Sequence, residues 1–253
     1  MATLSELVDA VAEAEAMDSA TVALIARYAR EAGFIQKKGR GPSAAHMGVA
    51  DAANLLIAVN ASGAAREAPD VIPVYRDLIA TELLWAHEKR APKIYGSFGE
   101  AIELLLQSAV EGKLPETFLS LDVPAVLRDT FQQGNAQISI SFNRPEPCAS
   151  ISITGERSPQ DLARLKQWVD ETASHQGLSL AEQVASPGPR YPVTMPPPSV
   201  TFSFSSKRGR KTRTAWKLKA GDRADETKIG NLTIFSVAQT LAGSSQRYER
   251  RAQ

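Results

Sequence analysis

The spacing of the apolar residues changes once along this chain, and that change decides its fold class. Up to about residue 111 apolar side chains recur at helical intervals; from residue 136 they alternate. Leu4, Leu7, Val8 and Val11 mark one helix over 3–16, with Thr3 or Ser5 as its cap. Val22, Ile25, Ala26 and Ala29 mark a second over about 19–32, capped by Asp18 or Ser19 and closed by Gly33, as glycine just past a last turn does. A third helix, rich in Ala and Leu, is predicted over 48–60. A fourth is predicted over about 73–89, with Pro73 at its start and Leu78, Ile79, Leu83, Leu84 and Trp85 as its buried stripe. Ser97-Phe98-Gly99-Glu100 fits a capping box opening a helix over 98–111, and a short helix is expected around Val123–Gln132.

Beyond that point Ala136–Phe142 and Cys148–Thr154 alternate apolar with Ser and Thr. The intervening Asn143-Arg144-Pro145-Glu146-Pro147 reads as a turn, which makes the pair a β-hairpin. Ser158-Pro159 opens a helix to about His175, with Leu162, Leu165, Trp168 and Val169 inward. Six prolines within 186–198 read as a linker or surface strap. Val200–Phe204 is another alternating strand, expected to pair with Thr214–Leu218 across the basic turn Ser206–Arg213. Asn231–Ala242 fits a helix slightly better than a strand. The whole is α+β, divided as a helical unit over 1–63, a helical segment over 64–134 and an α+β part with two hairpins over 135–253.

Charge is distributed unevenly. The chain has 253 residues and a net charge of +1, yet residues 200–253 hold twelve Lys and Arg against four Asp and Glu, an excess of +8 that leaves −7 on residues 1–199. Such a split suggests a polyanion or an acidic protein surface as partner of the C-terminal part; the competing reading is a sheet edge guarded by Lys and Arg. One cysteine, Cys148, excludes an internal disulfide framework and a multi-cysteine zinc site. The acidic start lacks the basic-then-apolar pattern of a secretion signal, and no apolar run approaches the ~18 residues of a membrane span, so a cytoplasmic home without membrane contact is expected.

The first sixty residues carry most of the functional information. Ala26-Arg27-Tyr28-Ala29-Arg30-Glu31-Ala32-Gly33-Phe34-Ile35 is followed by the basic glycine loop Lys37-Lys38-Gly39-Arg40-Gly41. A helix then begins with Val49-Ala50-Asp51-Ala52-Ala53-Asn54-Leu55-Leu56. This order resembles the winged helix-turn-helix of the MerR family, whose second helix ends in an Arg-Tyr-Tyr-Glu-Arg-x-Gly-Leu-like run and is followed by a basic wing. The resemblance covers about a quarter of the chain. Between helices one and two Glu13–Met17 stands where the family has a tight Gly turn, and the family's long dimerising helix has no counterpart. The set also resembles small regulators encoded by prophages and gene-transfer elements.

What the resemblance implies is a DNA-binding mode. Helix two would enter the major groove, with Ser19, Thr21 and Arg27, beside Tyr28 and Arg30, toward the DNA. Lys37, Lys38 and Arg40 would meet phosphates. A second basic cluster, Lys207, Arg208, Arg210, Lys211 and Arg213, would clamp the backbone from another side. The alternative is an ordinary helical core with a solvated loop. Glu6, Asp9, Glu13 and Glu15 argue against DNA contact by helix one.

Other signals carry less. His46, His87 and His175 lack metal-ligand spacing, and Cys148 reads as a small buried hydrophobe. Gly96–Gly99 is no nucleophile elbow, Gly39–Pro42 no phosphate loop, and His87-Glu88-Lys89-Arg90 no zinc-protease helix. Trp85, Trp168 and Trp216 read as core. No catalytic constellation and no cofactor are expected. The reading is a DNA-binding transcriptional regulator whose partners are double-stranded DNA and RNA polymerase or another protein, with a homodimer as one form. The second reading is a module that binds another protein without touching DNA.

Overall fold

The computed structural model describes residues 2–37, 46–85, 88–90, 96–112, 137–154, 167, 170–171, 174, 199–206 and 225–243. Among them are six α-helices and one antiparallel sheet: α1 Leu4–Ala14, α2 Ser19–Glu31, α3 Val49–Ala61, α4 Ala68–Arg76, β1 Ile79–Trp85, β2 Glu88–Arg90, α5 Phe98–Val110, β3 Gln137–Arg144, β4 Cys148–Thr154, β5 Ser199–Ser205, β6 Asp225–Gly230 and α6 Asn231–Ala242. The protein is α+β, with a helical N-terminal region.

Local chemistry sets the helix ends. Thr3 accepts the Glu6 N–H while the Glu6 carboxylate takes the Thr3 N–H, a complete capping box for α1. Asp18 Oδ2 accepts the Thr21 N–H at 2.9 Å and starts α2. Ser97 and Glu100 cap α5 reciprocally. Between α1 and α2 the turn is tight despite having no glycine. Ala16 adopts a left-handed φ of 52°, its N–H bonds to Glu13 O, and the Met17 N–H reaches Ala12 O. That is a Schellman motif with alanine where glycine is usual. Gly33, with φ 92°, turns the chain out of α2.

α3 is buried all round: every residue from Asp51 to Ala61 is in the interior. An apolar helix without a solvated face belongs at the centre of a core, and α2, α4 and α5 pack around it. α1 lies against α2 on one side and against α6, from the far end of the chain, on the other.

The sheet order is β2-β1-β5-β4-β3-β6. Register puts Phe142 opposite Ala149 and Ala149 opposite Phe204; the next row is Ile140, Ile151 and Phe202, and the next Ile138, Ile153 and Val200. All nine side chains are buried, while Ser139, Ser150, Ser152, Thr201 and Ser203 take the other face, where the Ser152 and Thr201 hydroxyls meet at 2.9 Å. A one-residue slip would exchange the two faces, so this register is strongly specified. Helices cover the apolar face. Phe98 of α5 packs on Phe142 and Phe204, with ring centroids 5.6 and 5.2 Å apart, and Tyr75 of α4 lies 6.1 Å from Phe142. One continuous core joins helices and sheet.

The helix predicted over 73–89 is a correction. The chain is helical over Ala68–Arg76, with a proline in the first turn and Pro73 inside, and then forms β1. A short apolar run with β-branched Ile79 and Thr81 satisfies either period, and pairing with β5, from Ile79 opposite Ser205 to Trp85 opposite Val200, selects the strand. The segment 64–134, expected to be helical, therefore supplies two strands. β5 lies between β1 and β4. Its expected partner Thr214–Leu218 is outside the described residues, as are Val123–Gln132, the proline-rich 186–198 and Trp216. Gln167, Asp170, Glu171 and Ser174 are helical and exposed, within the span predicted from Ser158. Asn231–Ala242 is a helix.

Candidate nucleic-acid interface

α2 is half a core helix and half a surface one. Val22, Ile25, Ala26 and Ala29 are buried against α1 and α3, whereas Ser19, Ala20, Thr21, Ala23, Leu24, Arg27, Arg30 and Glu31 face solvent. The outward stripe Ala20, Ala23, Leu24 and Arg27 follows helical spacing, with Leu24 45% exposed. No side chain longer than leucine stands on it before Arg27, so another surface can approach the helix closely.

The six expected contact residues that the structure describes fall into four groups. Ser19 and Thr21 are exposed, but their hydroxyl protons are taken: Ser19 Oγ donates to Asp9 Oδ1 at 3.0 Å, and Thr21 Oγ1 to Asp18 Oδ2 at 3.0 Å. Those hydrogen bonds hold the Asp18 carboxyl below the usual carboxylate range, first through the Thr21 hydroxyl and then through its backbone. The N-terminal turn of α2 is thus dressed with carboxylates. Arg27 and Arg30 lie outward in the next turns. Arg27 Nε donates to Glu31 Oε1 at 2.7 Å, an exposed pair on one helix face that water screens and that is readily exchanged for another acceptor. Tyr28 is half-buried and packs against the core rather than standing free. Lys37 is exposed, and its Nζ caps the helix by donating to Glu31 O at 2.7 Å. Lys38, Arg40, Lys207, Arg208, Arg210, Lys211 and Arg213 lie outside the described residues.

The segment that follows α2 is anchored by side chains the sequence reading did not single out. Asp51, in the first turn of α3, accepts the Gln36 N–H on Oδ1 at 2.9 Å and the Gly48 N–H on Oδ2 at 2.8 Å. The chain therefore departs at Gln36 and returns at Gly48 to a single carboxylate. Asn54, one turn on, donates to Phe34 O at 2.7 Å. Arg76 Nη1 donates to Asn54 Oδ1 at 2.8 Å, while Nη2 pairs with Glu103 of α5. Gly99 leaves room for this arginine: a Cβ there would stand 3.1 Å from Arg76 Cγ. The available signal was an Asp and an Asn inside an otherwise apolar helix, with Asp51 three residues past a glycine cap.

No group of three or more His, Cys, Asp or Glu among the described residues is placed to hold a metal ion. No helix among them is long and apolar enough to cross a membrane. His46 is exposed, and Cys148 is half-buried at the start of β4. The chain matches no protein-family model, no curated protein and no solved structure.

Proposed function

We propose that the protein is a duplex-DNA-binding transcriptional regulator, of phage or mobile-element type, that lays α2 in the major groove. One observation carries this reading: the outward side of α2 is exposed from Ser19 to Glu31, and the basic residues Lys37, Lys38 and Arg40 follow it in sequence. An open helix followed in sequence by a basic, glycine-bearing segment is the order a winged helix-turn-helix has. Ala20, Ala23 and Leu24 suit the methyl groups of thymine, and Arg27, released from Glu31, can fork onto guanine. Arg30 and Lys37, with Lys38 and Arg40 from the sequence, would neutralise phosphates. The N-terminal turn, with Asp9 and Asp18 beside it, would face base edges rather than backbone.

The test is titration of labelled duplex DNA of random sequence over a salt series. Wild-type affinity should fall steeply with salt. Changing Lys37, Lys38 and Arg40 together to Ala should flatten the log–log slope by roughly 2–3, at about 0.9 per phosphate contact. Binding indifferent to both salt and the triple change rejects the reading.

A second reading, a module that binds another protein, is favoured by α6, where Leu232 and Phe235 are 69% and 41% exposed on one helix face. Under it, Leu232→Glu with Phe235→Glu abolishes a protein complex that the triple Ala change leaves intact, and no DNA affinity is found.

A further inference from the structure

The sheet ends on β6, which pairs along one side with β3 and has no neighbouring strand on the other among the described residues. The register decides which backbone groups it turns outward. The Ile138 N–H points to the β6 side of β3, where it donates to Asn231 Oδ1 at 2.7 Å. Amide directions alternate along a strand, so Ile140, Phe142 and Arg144 also face β6, and their partners Ile229, Thr227 and Asp225 return their own N–H and C=O groups to β3. The N–H and C=O groups of Glu226 and Lys228 therefore face away from the sheet. Both side chains are exposed, on the hydroxyl-bearing face opposite Asn143 and Ser141, while Thr227 between them is half-buried on the other face.

Outward N–H and C=O groups on an edge are a template for another strand. An antiparallel partner must bring its own outward-facing residues against these, because only such pairs exchange both hydrogen bonds. For a second β6, alignment about Glu226 or about Lys228 sets like charges opposite each other. Alignment about Thr227 sets Glu226 opposite Lys228 on both sides of the axis, and opposite charges directly across a pair attract. A strand so short and so charged repels most unrelated edges, yet its alternating signs make it complementary to itself.

We propose that β6 is a homodimer interface: it pairs antiparallel with β6 of a second copy of this chain about a two-fold axis at Thr227, joining two sheets into one, with Glu226 of each protomer facing Lys228 of the other. The inference does not depend on the DNA reading.

Sedimentation velocity of the full-length wild type over a concentration series should show a reversible dimer at low salt that weakens as salt rises. E226K puts lysine opposite lysine and K228E puts glutamate opposite glutamate, so each should self-associate roughly tenfold more weakly than wild type. Mixing the two single variants should give a heterodimer, and E226K with K228E in one chain should restore the homodimer, since both arrangements again oppose unlike charges. Misfolding cannot produce that pattern of loss and rescue. The Glu226 and Lys228 amides should exchange with solvent deuterium more slowly as protein concentration rises, while those of Thr227 and Ile229 stay unchanged. A wild type that remains monomeric up to about 1 mM, single variants that dimerise as wild type does, or a mixture that fails to associate overturns the inference. So does a dimer in which the Glu226 and Lys228 amides exchange as fast as in the monomer, because its interface lies elsewhere.

Discussion

Raising the pH should weaken this fold through one carboxyl group. Glu15 ends α1, half-buried, with Oε1 accepting from Asn60 Nδ2 at 3.1 Å. Asn60, deep in α3, also donates to Leu56 O. Loss of water around Glu15 raises its pKa to about 7 from an ordinary 4.5, the Asn60 hydrogen bond opposing the shift without cancelling it. Because the folded carboxyl holds its proton longer than the unfolded one, the native state binds more protons between those two values, and stability falls as pH rises through that window. It is full below about 4.5 and reaches its lower plateau above about 7. At ~1.4 kcal/mol per pH unit the cost is roughly 3 kcal/mol, reduced to about 2 by the part of the group that water still reaches. Glu15→Gln keeps an acceptor for Asn60 and carries no charge. It should melt close to wild type at pH 5 and about 4–8 °C above it at pH 8, taking about 2–4 °C per kcal/mol for a chain of this size. Thermal unfolding followed by circular dichroism at the two pH values decides the matter. An equal difference at both, or a Gln variant less stable at pH 8, refutes the argument.

Two further outcomes follow from single positions. Ala16→Gly should stabilise the protein by about 1 kcal/mol in urea unfolding, because it relieves a left-handed alanine at the end of α1; a loss would mean that the extra freedom of glycine in the unfolded chain outweighs that strain. Tyr75→Phe should cost about 1–2 kcal/mol, since the Tyr75 hydroxyl donates to Asn143 O and joins α4 to the sheet. Burial also pushes that hydroxyl well above the usual range, so no tyrosinate signal from Tyr75 should appear near pH 10 while the protein is folded.

What could be read in the sequence was what neighbouring residues decide among themselves. Thr3 with Glu6, Asp18 with Thr21 and Ser97 with Glu100 lie within one turn of each other, so those three helix starts were legible, whereas α4, expected from Pro73, starts at Ala68. The Ser-alternating rows of β3 and β4 were legible because the two faces of a strand differ at every step. β1 was not, because its choice between helix and strand depends on β5, more than a hundred residues later. Nor was the sheet order, in which β5 sits between β1 and β4 and β6 pairs with β3, partners far apart in sequence. At the candidate interface the outward stripe of α2 followed from helical spacing alone. That the Ser19 hydroxyl is taken by Asp9 depends on where α1 comes to rest, and that Asp51 accepts the Gln36 N–H depends on a contact across fifteen positions, so neither could be inferred from a local pattern.

The placement of acids decides how α2 would have to meet DNA. Glu6, Asp9 and Glu13 are exposed on α1, and Asp9 and Asp18 flank the first turn of α2, whereas Arg27, Arg30 and Lys37 gather at its far end. A polyanion is repelled at one end and drawn to the other, so the helix should tilt, its basic end against the backbone and its acidic end over base edges. Asp9→Asn tests this directly, because it preserves an acceptor for Ser19 and removes only charge. A unit charge about 7 Å from a phosphate costs roughly 0.6 kcal/mol in water, so D9N should bind random duplex DNA about threefold more tightly at low salt. The gain should fade once the Debye length falls below that separation, from roughly 0.2 M salt upward, since it is about 8 Å at 0.15 M and about 3 Å at 1 M. Unchanged affinity at low salt would place Asp9 away from the DNA, and weaker binding would make its carboxylate a contact rather than a barrier; either outcome removes the tilt.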